Sequence, residues 1–134
     1  MKSYTLHGRD GEVTFTGEVL GESSSQGQRH NHPGDVSPSR SRDQKCNACR
    51  WQETTIYGTS SGDFIAFTVG RSTLPGEVDF ANVVQTDSAR ELVDRLIVKS
   101  AARPFIPAPA ARALAQAADL DDDIADAYDN RPVL

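Results

Sequence analysis

The hydrophobic period changes once along this chain, and that change decides the fold class. Up to about residue 85, apart from a polar stretch in between, apolar residues alternate, the period of a strand with one face turned to a core. From Ser88 they recur three and four residues apart, the period of a helix. Strands first and helices after describe an α+β domain. The expected form is an antiparallel sheet of about four to five strands followed by two or three C-terminal helices.

The strands announce themselves locally. Residues 3–20 read as a hairpin, with Tyr4 and Leu6 alternating before the turn cluster Gly8-Arg9-Asp10-Gly11. Val13, Phe15, Gly17 and Val19 alternate after it. Trp51–Thr59 and Asp63–Arg71 form a second hairpin around Ser60-Ser61-Gly62. In the latter strand Ile65, Phe67 and Val69 share one face, and Phe64, Ala66 and Thr68 share the other. Apolar residues on both faces place that strand centrally in the sheet. Leu74-Pro75-Gly76-Glu77 is a turn, and Asp79–Gln85 is a short fifth strand.

Ser88-Ala89-Arg90-Glu91 is a capping box. Leu92, Val93, Leu96 and Ile97 follow at helical spacing, which predicts a helix from Ser88 to Ala101. Pro104 and Pro107 break the chain, and Pro109 suits the first turn of a second, alanine-rich helix. Leu120, Ile124, Ala127 and Tyr128 continue an apolar stripe through the aspartate-rich end, residues 119–134, read as an acidic helix and tail.

Between the two hairpins, residues 21–50 do not follow either period. This polar stretch of Ser, Gly, Gln, Arg and Pro reads as a loop insertion in a single domain of residues 1–134. It carries His30, His32, Cys46 and Cys49: a His-x-His pair, a spacer and a Cys-x-x-Cys pair. Two imidazoles and two thiolates are the ligand types and the number that one tetrahedral zinc ion takes. They use both cysteines and two of the three histidines. A zinc clip would tie the loop to the sheet. Four ligands close the coordination sphere, so the expected role is structural, because a catalytic zinc keeps a position open for water.

Other readings of the same residues are weaker. A redox Cys-x-x-Cys ordinarily opens a helix in a βαβ unit. Here Cys49 is followed by Arg50, Trp51 and a strand pattern. The tripeptide His30-Asn31-His32 spells the letters of a nuclease motif. That motif is a scattered constellation needing a separate base histidine, and the match carries no such context. Free thiols and solvated loop histidines are the bland alternative. If one histidine were not a ligand, the open position would make a zinc-dependent hydrolase conceivable. No catalytic residue is assigned, and a non-enzymatic protein is expected.

Charge bears on the partner. The net charge is −5. From Arg29 to Arg50 five basic residues (Arg29, Arg40, Arg42, Lys45, Arg50) face two aspartates, a balance of +3. From Asp119 to Asp129 there are six aspartates and no base, a balance of −6. Such a chain is expected to bind a protein, with nucleic acid bound through the basic loop as the alternative. Asp121-Asp122-Asp123 lacks the alternating spacing and bidentate glutamate of a calcium loop and reads as a solvated helix face. Trp51 reads as a core residue beneath the loop, with a stacking platform beside Arg50 as the alternative. The start MKSYTLHGRDGE turns polar within seven residues, and no apolar run is long enough to span a bilayer. A cytoplasmic protein is expected, in a compartment that keeps thiols reduced and so favours metal over a disulfide.

The segments KCNACRWQETTIY, GRSTLPGEVDF and PAPAARALAQAA resemble small uncharacterised proteins of actinobacteria and their phages, over most of the chain from His30 onward. The resemblance implies an intracellular accessory protein. It transfers no catalytic or binding residue.

Overall fold

The computed structural model describes residues 1–25, 50–72, 80–100 and 102–131. Among them five strands come first: β1 (Lys2–Gly8), β2 (Gly11–Ser24), β3 (Arg50–Thr59), β4 (Phe64–Ser72) and β5 (Phe80–Thr86). Three helices follow: α1 (Ala89–Leu96), α2 (Ala108–Leu120) and α3 (Asp122–Asp129). The strands form one antiparallel sheet in chain order, each paired with its sequence neighbour. The α+β architecture is therefore the one the change of period implies.

The sheet buries apolar residues on both faces, and alternation assigns them. On one face Leu20, Ile56, Phe64 and Ala66 pack against Leu92 and Val93 of α1, Ala113, Leu114 and Ala117 of α2 and Ile124 of α3. On the other, Leu6, Tyr57 and Ile65 pack with Tyr4, Val13, Phe15, Phe67 and Val83. Ile56 and Ile65, one from each set, are both fully buried. Curling makes the second core possible. The turn after β1 reaches β5, where Arg9 N donates to Ala81 O at 3.0 Å. A curled sheet turns its inner side chains toward one another, so that face needs no helix.

A bulge seats α2. The β2–β3 register runs Val19↔Tyr57 and then Gly21↔Ile56, leaving Leu20 as the extra residue. Leu20 and Gly21 thus both turn toward the helices. Leu20 enters the core, and Gly21 lies under α2 so closely that a Cβ there would sit 2.1 Å from Ala113 O. Only glycine permits that approach. Beyond Gly17 β2 has no β1 partner, and α2 serves that edge instead. Glu22 N donates to Gln116 Oε1 at 3.0 Å, and Arg112 Nε donates to Ser23 Oγ at 2.8 Å. In the β3–β4 turn Gly62 adopts φ +90°, a conformation that glycine reaches without a Cβ clash.

The helices differ from expectation in two places. Ser88 caps α1 as the sequence implies, its Oγ accepting from Glu91 N at 3.1 Å. The helix ends at Leu96, though, well short of Ala101. Ile97 turns extended, and Val98 exchanges backbone bonds of 2.7 and 3.2 Å with Phe105. Two consecutive β-branched residues hold the helix weakly, and a bridge to a distant residue takes over their backbone groups. The apolar stripe from Leu120 is also broken. Asp121 is extended and caps α3, accepting from Ile124 N at 3.0 Å. Ile124, Ala127 and Tyr128 pack as expected, while Leu120, stranded on the other side of the break, is 69% exposed.

Candidate functional site

His30, His32, Cys46 and Cys49 lie outside the described residues, as do Arg29, Arg40, Arg42 and Lys45. What the structure establishes is how the two flanks of that stretch are held. Strands β2 and β3 stay in register as far as Ser24↔Glu53. One step further, Ser25 N donates to Gln52 O at 3.0 Å, and Gln52 N donates to Ser25 Oγ at 3.0 Å. The chain therefore leaves and re-enters the sheet at adjacent points. His30 is five residues beyond Ser25, and Cys49 immediately precedes the first residue of β3.

Beside this exit, on the inner face, two side chains share one carboxylate. Glu53 Oε2 accepts from Trp51 Nε1 at 2.8 Å and from Arg71 Nε at 3.0 Å. The register explains the meeting. Trp51 and Glu53 are two apart on one strand face, and Arg71 is the cross-strand partner of Trp51. Trp51 is half-buried, lies outside both core clusters and has its indole N–H satisfied. It is neither a central core residue nor a bare stacking surface. A Trp-x-Glu pattern facing an Arg on the next strand is the sequence signal for such a group, visible only once the register is known.

Further along the same face Tyr57 packs against Tyr4 and Phe15, with ring centroids 4.9 and 5.1 Å away. Tyr4 and Phe15 stack at 5.4 Å. At these distances the rings fill the space between them. Burial pushes the Tyr57 phenol above its ordinary pKa, and the neighbouring Tyr4 and Glu22 add to the rise, because each disfavours a second negative charge.

The acidic end is a surface. Asp119, Asp122, Asp123, Asp126 and Asp129 are exposed, and Asp121 is occupied in capping α3. Asp122 and Asp123 lie in the first turn of α3, where the helix dipole favours negative charge. Between α3, the start of α1 and the β3–β4 turn runs a groove of about 580 Å³, lined by Asp87, Arg90, Asp123, Asp126 and Asn130 over Phe64 and Ala127. The third histidine, His7, sits on the β1–β2 hairpin with Nδ1 3.3 Å from Glu12 Oε2. Among the described residues no group of three or more His, Cys, Asp or Glu side chains is placed to hold a metal ion, and no helix is long and apolar enough to cross a membrane. Compared with protein-family models, with curated proteins and with solved structures, the chain matches none.

Proposed function

We propose that this chain is a small, non-enzymatic, zinc-stabilised protein that binds another macromolecule, a protein rather than nucleic acid. Its setting is the cytoplasm, as an accessory or regulatory factor of an actinobacterium or its phage. His30, His32, Cys46 and Cys49 hold one structural zinc. The observation that supports this reading is the juncture at Ser25 and Gln52. A chelate needs ligands from both halves of the stretch at one point, their donor atoms roughly 3.3–3.8 Å from each other at the tetrahedral bond lengths zinc takes. Five residues from Ser25 reach at most about 17 Å. His30 is five residues from Ser25 and Cys49 one residue before β3, so the strand pairing at Ser25 and Gln52 already meets much of the closure entropy of bringing the two halves together.

Metal content tests the proposal. Protein purified under reducing conditions and passed through gel filtration should contain about one zinc per chain by inductively coupled plasma measurement. Cys46→Ser combined with Cys49→Ser should lose the metal and lower the melting temperature while the helical circular dichroism persists, since both cores lie elsewhere. A folded, reduced wild-type sample free of metal would remove the site.

A further inference from the structure

We draw no further inference here: the strongest candidate, the groove between the β3–β4 turn, the first turn of α1 and α3 that Asp87, Asp123 and Asp126 line, is an acidic cluster beside a helix N-terminus, and nothing else in the structure points to a ligand for it.

Discussion

Two residues show how narrowly the packing is drawn. Gly21 meets the backbone of α2, not a side chain that could rotate away. Gly21→Ala must therefore push the helix off the sheet or distort the bulge, at a cost of roughly 1–3 kcal/mol. Urea denaturation should show the midpoint falling with an unchanged slope. A midpoint equal to wild type would mean that α2 is not held this closely. Tyr57 gives a pH signature. Its folded pKa lies above the unfolded value of 10.0, so between the two the native state binds more protons than the unfolded chain. Stability from this group is complete below pH 10 and declines as pH rises through the folded pKa. Thermal melts from pH 9 to 11 should show that decline, and Tyr57→Phe should flatten it. An equal decline in the variant would assign the effect to other groups.

At the scale of elements, the break at Asp121 separates two helices that a continuous stripe would have joined. The Asp121 carboxylate accepts from Ile124 N, and Ile124 is fully buried, so the cap sets the angle at which α3 enters the core. Asp121→Ala should cost about 1 kcal/mol, the usual loss for an N-cap. In a chain of this size that is roughly 3–5 °C in melting temperature. Asp122→Ala, one residue on and exposed, is the control: it keeps the cap and loses only the weaker interaction with the helix dipole, so its effect should be smaller. Equal effects would show that charge rather than capping matters. The hairpins, the fifth strand and the Ser88 cap were legible in the sequence because each depends on neighbours within a few residues; the end of β2 was not, since the stretch read as a loop from residue 21 stays paired with β3 as far as Ser24. The end of α1 was not, because Val98 is claimed by Phe105 across a turn. Asp121 was hidden for a different reason: a capping aspartate looks like the others around it. The bulge at Leu20 answers to α2, some ninety residues away. Of the candidate site the ligand types could be read directly, whereas the pairing that draws the flanks together required the β2–β3 register.

For the whole molecule the governing quantity is the distribution of charge. The net is −5, and the exposed aspartates of α2 and α3 form a surface that repels phosphate. A basic stretch of balance +3 offers few phosphate contacts against that field. At physiological ionic strength we expect negligible binding to duplex or single-stranded DNA and RNA in fluorescence anisotropy, and capture of a specific host protein that survives nuclease treatment. Submicromolar binding that falls steeply with salt and is lost on changing Arg40, Arg42 and Arg50 to Ala would instead make the chain a nucleic-acid-binding module.

The covering of the sheet by α2 also has a consequence for how the protein is made. Every strand pairs with its predecessor, so the meander can assemble as it emerges from the ribosome. Yet Leu20 and Ile56 find their partners in Ala113, Leu114 and Ala117, which are synthesised late. Until then α1 supplies Leu92 and Val93 to that face, but the part that α2 covers stays open. A chain truncated before Ala108 should therefore leave Leu20 and Ile56 uncovered, and light scattering should find it more prone to aggregate than the full chain.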